Sequence, residues 1–325
     1  MKLLILTDHR RHNHSNSLYT LARGLEAHPE VETVFVASRG TQVNQAFFSG
    51  NTSSSLTGMK VDQEFLFPMN KAFEQAETEI PTGRIDAFFL RLPYPVPDTF
   101  FSALKSLAGD RPIVNDPDGI VKTGNKSFLT TLDDRFTAFM QTVTSIQEIE
   151  ALSRRMNLVL KPTRSYGGRG ILRVLDGVIS LGNQEITQAE FEHIIANQEE
   201  TYLAMDYLPE VTKGDKRLFV VNGEILTATL RIPAENSWLA NVAQGGASFT
   251  TQPTTREREM VEYLSPILLQ EGIFYYGLDT LVGNQGERVI SEINTLSVGG
   301  VQAYEIGSGN PVSTKFADLF VREIS

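Results

Sequence analysis

The sequence predicts a chain of mixed α/β and α+β character, with an open parallel sheet near its N-terminus and antiparallel strands later. Three observations support this prediction. Short apolar runs alternate with a helical pattern over residues 1–121, and the elements become shorter and more mixed after Pro117. From Thr201 onward, strand-like runs dominate. Alternating strands and helices are typical of a parallel sheet, whereas successive strands joined by short turns are typical of antiparallel pairing.

The N-terminal elements follow from the spacing of apolar residues. Strands buried on both faces read as continuous apolar runs, and an amphipathic helix has apolar residues three and four positions apart. The segment Thr41–Gly58 is rich in Ser, Thr, Asn and Gly, which predicts a mobile loop. In chain order the patterns predict a strand at Lys2–Thr7, a helix at Ser15–His28, strands at Val34–Ala37 and Ile85–Arg91, a helix at Thr99–Ala108 and a strand at Pro112–Asn115.

The later elements divide into a small mixed group and a group made mostly of strands. Asn222-Gly223, between two strands of the second group, is typical of a tight hairpin. We therefore expect three units, at residues 1–121, 122–200 and 201–325. The first group contains helices at Gly119–Leu132 and Ser145–Met156 and strands at Thr137–Val143, Leu158–Lys161 and Ile171–Leu175. The second contains strands at Tyr202–Tyr207, Arg217–Val221, Glu224–Arg231, Phe274–Leu281 and Glu287–Asn294 and a helix at Arg256–Gln270.

Composition excludes several classes of protein. The 325 residues include 29 Lys and Arg against 39 Asp and Glu, a net charge of −10, and no Cys. Nucleic acids and anionic membranes require a basic surface, so neither is an expected partner. The lack of Cys excludes disulfides, thiolate catalysis and Cys metal sites, and it favours a cytoplasmic location. No apolar run approaches the ~20 residues that span a bilayer, and we expect no secretory signal in the opening residues.

Three oxygen-bearing side chains in the last predicted hairpin indicate a cation site. Glu292 and Asn294 are two positions apart, so on a strand both point to the same face. The segment Gly283–Gly286 predicts a turn that brings Asp279 opposite them. Two carboxylates and an amide suit Mg²⁺, which prefers oxygen ligands. The alternative is that these residues form the solvated face of an ordinary hairpin.

A lysine followed by a glycine-rich turn indicates an anion site. Lys161 ends a predicted strand, and Gly167, Gly168 and Gly170 follow shortly after it. Backbone N–H groups in such a turn can approach phosphate oxygens, and the lysine adds a positive charge. The spacing matches neither the P-loop nor the dinucleotide-binding glycine pattern. The alternative is a plain glycine-rich hairpin turn.

Two further segments are less specific by themselves. Asp206-Tyr207-Leu208 lies at the end of a predicted strand, where backbone N–H and C=O groups are available to an adenine edge. Asp215 and Arg217 follow, and they could contact ribose hydroxyls and a phosphate. Lys126 lies on a predicted helix. Taken singly, each segment is better interpreted as a surface turn or a solvated helix face.

In their order along the chain, these segments resemble the ATP-grasp superfamily, and within it the bacterial type of glutathione synthetase. The resemblance extends over nearly the whole chain. It implies a pre-ATP-grasp domain at residues 1–121 and a two-part ATP-grasp fold, with a lid subdomain at 122–200 and a magnesium-bearing subdomain at 201–325. The matching stretches are Asn125-Lys126, LVLKP with SYGGRGILRV, MDYLP with KGDKRLFVVNGEIL, LRIP, NVAQGG, and FYYGLDTLVG with SEIN.

The resemblance also implies roles for individual residues, which we state as expectations. The residues expected to bind ATP are Lys126, Lys161, Gly167, Gly168, Gly170, Asp206, Tyr207, Leu208 and Asp215. Those expected to bind Mg²⁺, or Mn²⁺ in its place, are Asp279, Glu292 and Asn294. Those expected at the reacting groups are Arg217, Arg231 and Asn241. Those expected to bind the substrate are Arg91, Ser297, Gly299 and Gly300.

The activity that the resemblance implies is ATP-dependent ligation of a carboxylate to an amine, and specifically the joining of γ-glutamylcysteine to glycine. The resemblance also suggests a homo-oligomer. The sequence departs from the family pattern at Leu92 and Leu239, where cations are expected, and at Val298, within a turn that replaces a serine-proline loop. These departures leave two alternatives open. One is a ligase with other small-molecule carboxylate and amine substrates, and the other is an ATP-binding regulator without turnover.

The segment His9–His14 admits two interpretations. His12 and His14 could contribute to a metal site, but zinc normally takes three or four protein ligands and no third is evident. The segment follows the first strand of a predicted parallel sheet, and such sheets bind ligands beyond the C-terminal ends of their strands. We therefore favour a place in the wall of the substrate site.

Overall fold

The computed structural model describes residues 1–67, 70–165, 167–197, 201–233 and 247–325, and it contains three sheets. The first has the order β4-β3-β2-β1-β5-β6, the second β11-β10-β9-β8-β12-β7, and the third β15-β14-β13-β16-β17. The strands of the first sheet are β1 Lys2–Thr7, β2 Thr33–Ser38, β3 Ser55–Lys60, β4 Thr78–Pro81, β5 Ala87–Arg91 and β6 Ile113–Val114. Those of the second are β7 Met140–Val143, β8 Leu158–Pro162, β9 Leu172–Leu175, β10 Val178–Leu181, β11 Gln184–Glu185 and β12 Tyr202–Asp206. Those of the third are β13 Asp215–Val221, β14 Glu224–Ile232, β15 Ala247–Thr250, β16 Tyr275–Val282 and β17 Arg288–Asn294.

The α-helices lie between and around these sheets. None of those in the described ranges combines the length and apolar composition needed to cross a bilayer. In chain order they are α1 Leu18–Glu26, α2 Gln45–Phe48, α3 Asn70–Glu74, α4 Asp98–Ala108, α5 Pro117–Thr123, α6 Ile146–Ser153, α7 Gln188–Ala196, α8 Thr255–Gln270, α9 Val301–Ser308 and α10 Val312–Ile324.

The predicted parallel sheet is confirmed. Strands β2, β1, β5 and β6 pair in parallel, and their apolar runs are buried on both faces. Leu3 and Ile5 pack with α1 and α10, whereas Leu4 and Leu6 point to the other face and pack with α4. The chain passes from β1 to β2 on one side of the sheet and from β5 to β6 on the other. In open parallel sheets a crevice forms between the C-terminal ends of two such strands, here β1 and β5, and ligands commonly bind there.

The predicted mobile loop at Thr41–Gly58 is wrong. The segment contains α2 and much of β3, which pairs antiparallel with β2. Phe47 and Phe48 are buried against the sheet, and the Asn44 side chain is bonded to the backbone of Thr57 on both sides, donating at 2.7 Å and accepting at 2.9 Å. The prediction failed because it was based on the polar composition of the segment, which does not indicate these buried side chains and hydrogen bonds.

Both predicted hairpins are confirmed. Asn222 and Gly223 have φ values of +47° and +78°, as the tight turn between β13 and β14 requires. The Gly283–Gly286 turn joins β16 to β17, with Gly283 N donating to Glu287 O at 2.7 Å. All neighbouring strands of the third sheet therefore pair antiparallel, and side chains from several strands point to the same face of the sheet.

Two predicted elements differ from the structure, and two helices near the C-terminus were not predicted. The strand at Tyr202–Asp206 pairs with β7 and β8 in the second sheet, although we placed it at the start of the third unit. The helix at Gly119–Leu132 is two pieces, α5 and a 3₁₀ turn at Lys126–Thr131, because the Asn125 side chain caps a new start by accepting from Ser127 N at 2.9 Å. No element was predicted beyond residue 294, where α9 and α10 lie. The division into three domains stays a prediction.

The first and third sheets meet in a shared core. Phe89 of β5 packs against Tyr275 of β16 and against Phe320 of α10, with ring centroids 5.5 and 5.1 Å apart. The buried Asn115 side chain donates to the carbonyl oxygens of Tyr275 and Thr295 at 2.7 and 2.6 Å. These contacts fix the start of β16 and the end of β17 beside the C-terminal edge of the first sheet.

A buried acidic residue joins α8 to the third sheet. Glu257 is fully buried and belongs to the capping box that begins this helix. It accepts from Lys216 Nζ at 2.8 Å and from Thr280 Oγ1 at 2.7 Å. Burial by itself would raise the pKa of Glu257, but the hydrogen bonds from Lys216, Thr254 and Thr280 outweigh it and keep the pKa below its ordinary value.

We expect Glu257→Ala to lower the free energy of unfolding by about 3–5 kcal/mol, because it leaves the buried Lys216 ammonium without its partner. Since the pKa of Glu257 is lowered on folding, its contribution is present at neutral pH and disappears as the pH falls below the normal range of a glutamate. Urea unfolding of both forms at pH 7 and pH 4 measures this. Glu259→Ala, an exposed position of the same helix, is the control. Equal stability of the two variants at pH 7 would contradict the assignment.

Candidate functional site

One cavity of about 560 Å³ lies where the second and third sheets face each other and the loops of the first sheet close one end. It collects most of the residues singled out in the sequence, although they come from distant segments. Those that line it are Lys126, Lys161, Gly167, Gly168, Asp206, Tyr207, Leu208, Asp215, Arg217, Arg231, Asp279, Glu292, Asn294 and Ser297.

The β16–β17 hairpin presents the predicted cation ligands together. Asp279 lies directly opposite Glu292 in the antiparallel ladder, and a bulge follows at this point of the pairing. Residues opposite each other in a ladder point to the same face, and Asn294 lies on that face too. Asn294 Nδ2 donates to Asp279 Oδ2 at 3.3 Å. The hairpin geometry predicted from the sequence is confirmed.

Asp279 is also the centre of a buried charge network. Its two carboxylate oxygens accept from Arg217 Nε and Nη2 at 2.7 and 2.6 Å, and Oδ2 lies 2.9 Å from Arg231 Nη2. Arg231 donates to both oxygens of Asp215 at 2.6 and 2.5 Å. The ladder dictates this arrangement, because Arg217 lies opposite Asp279 and Asp215 lies opposite Arg231. Two cations and two anions therefore compensate each other.

The network sets the ionisation of its two acids. Burial opposes the charge of Asp279, but Arg217 and Arg231 outweigh it and hold the pKa of this carboxyl below its usual range. Burial raises the pKa of Asp215 above its ordinary value, since Arg231 is its one bidentate partner and Asp279 repels its charge. Asp279 is therefore the more firmly ionised acid at this end of the cavity.

Two lysines face the network across the cavity. Lys126 is buried, with Nζ 3.4 Å from Glu292 Oε1 and a further hydrogen bond to the backbone oxygen of Ser165. Lys161 Nζ donates to the backbone oxygen of Ser291 at 3.2 Å. Burial lowers the pKa of Lys161, and Lys126 adds to this effect while Glu292 opposes it. Both ammonium groups are therefore placed to attract an anion that enters the cavity.

One part of the cavity, which we call the apolar slot, is lined by apolar side chains that pack together. Val159, Met205, Ile171 and Leu281 line it, and the chain passes from β12 into Tyr207 and Leu208 at its edge. Asp206 accepts from Asn284 Nδ2 at 2.5 Å, and burial raises the pKa of this carboxyl. A flat, mostly apolar group with a polar edge fits such a slot.

The glycine-rich turn covers part of the cavity. Gly167 and Gly168 line it with φ values of +71° and +74°, a backbone conformation that glycine adopts without strain. Gly170, also predicted, lies beside Pro162 instead of in the lining. Tyr166 between them is outside the described residues.

Of the residues expected to bind the substrate, the structure places only some in the cavity lining, and their roles stay predictions. Arg91 is 3% exposed and is not among the lining residues; its Nη2 donates to the carbonyl oxygen of Val298 at 2.7 Å. Gly299 and Gly300 also lie outside the lining, and Gly300 begins α9 with φ +104°. Ser297 does line the cavity. Asn241 and Leu239 fall in the segment 234–246, outside the described residues.

The segment His9–His14 provides part of the wall but does not present a metal site. His12 uses both ring nitrogens, with Thr7 Oγ1 and Tyr19 OH each at 2.9 Å, and burial is the main cause that lowers its pKa to about 4. In the described ranges no three His, Cys, Asp or Glu side chains are grouped to hold a metal. Arg11, which the sequence did not single out individually, lines the cavity.

The oxygen atoms of the hairpin side chains could supply part of the coordination shell of a hard cation. Asp279, Glu292 and Asn294 offer two carboxylates and one amide oxygen on one face, and Mg²⁺ normally completes its octahedron with water and phosphate oxygens. Glu292 is engaged by one ammonium, whereas Asp279 is shared with two guanidinium groups. Glu292 and Asn294 are therefore the more accessible donors.

Comparison with known proteins agrees with this geometry. The family model for the ATP-grasp domain of prokaryotic glutathione synthetase matches residues 126–308. The glutathione synthetase of Bradyrhizobium diazoefficiens is 30% identical over 207 residues, which cover 63% of this chain and 62% of that protein, somewhat less than two thirds of its length.

Solved structures show the same fold at low sequence identity. The crystal structure of D-cycloserine synthetase DcsG superposes with a TM-score of 0.70 at 12% identity and covers 100% of both chains. The macrocyclase MdnC of Microcystis aeruginosa, bound with its precursor peptide MdnA, gives a TM-score of 0.59 at 13% identity and covers 99% of this chain and 100% of that one. The chain belongs to the prokaryotic glutathione synthetase family and contains its ATP-grasp domain.

Proposed function

We propose that this protein is an ATP-dependent carboxylate–amine ligase, and that its reaction is the glutathione synthetase reaction, in which γ-glutamylcysteine, glycine and ATP give glutathione, ADP and phosphate. The observation that carries the proposal is the convergence of Lys126, Lys161 and the trio Asp279, Glu292 and Asn294 on one cavity with an apolar slot. Family membership supports the same chemistry. A cytoplasmic location and a homo-oligomeric state stay predictions from the sequence.

The cavity accommodates a nucleotide in one orientation. The adenine ring fits the slot between Val159, Met205 and Leu281, with its polar edge towards the backbone at Tyr207 and Leu208. The triphosphate then runs towards Lys126 and Lys161. At about 4 Å and an effective dielectric constant near 20, one lysine–phosphate charge pair contributes on the order of 4 kcal/mol before desolvation. The reverse orientation would bring phosphates against apolar walls.

The reaction needs positioning and charge stabilisation more than it needs a side-chain nucleophile. A substrate carboxylate oxygen attacks the γ-phosphorus of ATP, the bond to the β-phosphate oxygen breaks, and ADP leaves. The amine then attacks the acyl phosphate carbon, loses a proton, and phosphate departs as the amide forms. Phosphoryl transfer of this kind is accelerated by cations that neutralise the developing charge.

Residues of this chain supply most of that stabilisation. Lys126 and Lys161 would bind the phosphate oxygens, and Arg217 and Arg231 would face the reacting carboxylate from fixed positions because Asp279 and Asp215 hold them. Magnesium, when held by Glu292, Asn294 and Asp279, would supply further neutralisation of the phosphate charge. The role predicted for Asn241 remains a proposal from family resemblance.

A ligase with different substrates is the second candidate. The wall of the cavity contains Leu92 where the family pattern has a cation, and Val298 is buried against Gly277. A substrate with fewer charges than γ-glutamylcysteine and glycine would suit this wall. The macrocyclase with the same fold was solved with a peptide bound, so the fold accepts larger substrates. The third alternative, an ATP-binding regulator, predicts nucleotide binding without turnover.

The proposed reaction is tested by measuring phosphate release from ATP in the presence of Mg²⁺. The assay contains γ-glutamylcysteine and glycine together, and is repeated with each omitted. We expect release that requires both substrates and glutathione detected by mass spectrometry. Release with other carboxylate and amine pairs, but not with this one, would replace the specific reaction by the second candidate. ATP binding without release on any pair would contradict the ligase assignment.

We expect Glu292→Gln to lower kcat by at least about 100-fold, because it removes a charge that positions Lys126 and would hold the cation beside the transferred phosphate. Binding of ATP should weaken less, since Lys126, Lys161 and the apolar slot remain. Steady-state kinetics and calorimetric titration separate the two effects. Glu287→Gln, on the same hairpin but outside the cavity lining, is the matched control. Full activity of the Glu292 variant would exclude this role.

A further inference from the structure

We infer that Arg11 binds the free carboxylate of the acceptor substrate, and that this acceptor is an amino acid or peptide with an uncharged side chain. The inference rests on the proposed ligase function and assigns a residue that the family pattern did not indicate. It starts from the position of Arg11, in the short 3₁₀ turn His9–Arg11 after β1. This turn stands at the crevice between the C-terminal ends of β1 and β5.

Asp8, the carboxylate that caps this turn, is used by other cations. Asp8 is buried and accepts from Arg10 Nε and Nη2 at 2.8 and 2.7 Å, and from Arg39 Nε at 2.9 Å. The two arginines therefore compensate Asp8. Arg11 is exposed to the cavity, and in the described part of the chain its guanidinium has neither an ion pair nor a hydrogen bond.

Other cations of the cavity differ from Arg11 in this respect. Lys126 faces Glu292, Arg217 is bidentate to Asp279, and Arg231 is bidentate to Asp215. Arg11 thus contributes a positive charge that a substrate can compensate. A planar guanidinium matches a carboxylate with two parallel hydrogen bonds, which is the contact that fixes both position and orientation.

The loop after β5, which lines the cavity together with Arg11, is held in place by hydrogen bonds. Arg39 donates to the carbonyl oxygens of Pro95 and Pro93 at 2.6 and 3.1 Å, so the same ion-pair cluster that starts at Asp8 also holds the loop after β5. Leu92, Pro93 and Tyr94 of that loop line the cavity next to this turn. An acceptor whose carboxylate meets Arg11 would place its side chain against this apolar surface, which disfavours a charged one.

Arg91 is less accessible to an acceptor than Arg11, because its side chain is 3% exposed and does not line the cavity, although its Nε and Nη1 have no hydrogen-bond partner among the described residues. Its guanidinium is buried beneath the turn that follows β17 and donates to the carbonyl oxygen of Val298. Arg91 therefore contributes to positioning the turn that carries Ser297, whereas Arg11 itself lines the cavity. The cation that lines the cavity here comes from the first β–α connection, and the substrate role of Arg91 stays a prediction.

Differential scanning fluorimetry tests the inference without requiring turnover. The protein, with ADP, Mg²⁺ and γ-glutamylcysteine present, is titrated with glycine, alanine and leucine and with the carboxamide of each. We expect the free acids to raise the midpoint of unfolding more than the carboxamides do. In Arg11→Ala this preference should disappear, with the affinity for the acids falling about tenfold to a hundredfold, as expected for a lost charge-assisted hydrogen bond. Arg11→Lys should retain part of it.

Arg10→Ala is the matched control, because Arg10 is the neighbouring arginine, is paired with Asp8 and does not line the cavity. It should keep the preference for acids. An unchanged preference in Arg11→Ala, or no preference for acids in the parent protein, overturns the inference. The proposed reaction is judged separately by phosphate release. If release with glycine occurs and its KM is the same in Arg11→Ala, the reaction stands and the role of Arg11 falls.

Discussion

The carboxylate of Asp279 is the interaction on which the rest of the site depends. It lies at the meeting point of β13, β14 and β16, and through Arg217 and Arg231 it fixes two of the charges that face the cavity. A buried carboxylate between two guanidinium groups is costly to break, since removing one partner leaves an uncompensated charge at a cost of about 3–5 kcal/mol. An apolar cluster could stabilise this position as well, so stability alone does not explain why buried charges occupy it.

The packing of the first sheet against the third sheet places loops of the first sheet in the cavity wall. Asn115 and Phe89 connect the ends of β16 and β17 to the first sheet, and the loops after β1 and β5 line the same cavity as Glu292 and Asn294. A nucleotide bound between the second and third sheets would therefore point its terminal phosphate at the crevice of the first sheet. In the proposed reaction the fold would bring the nucleotide and the carboxylate together, because residues of all three sheets and their loops line one cavity.

Sequence patterns predicted the parts of this arrangement that are local. The two-residue spacing of Glu292 and Asn294 and the Gly283–Gly286 turn were sufficient to place Asp279 opposite them, and the family and fold class are confirmed. The pairing of Arg217 with Asp279 was not predicted, since register across strands follows from packing. The role predicted for Arg91 stays a prediction; its position at a strand end did not reveal that the side chain is buried and outside the cavity lining. The apolar spacing of Val312, Phe316 and Phe320 would have revealed α10, but no element was assigned there.

A crystal structure with a non-hydrolysable ATP analogue and Mg²⁺ tests the central claim most directly. We predict the adenine between Val159, Met205 and Leu281 and the phosphates at Lys126 and Lys161, with the cation on Glu292 and Asn294. In that complex Lys126 should turn from Glu292 to a phosphate oxygen. Nucleotide density outside this cavity, or phosphates remote from both lysines, would contradict the account.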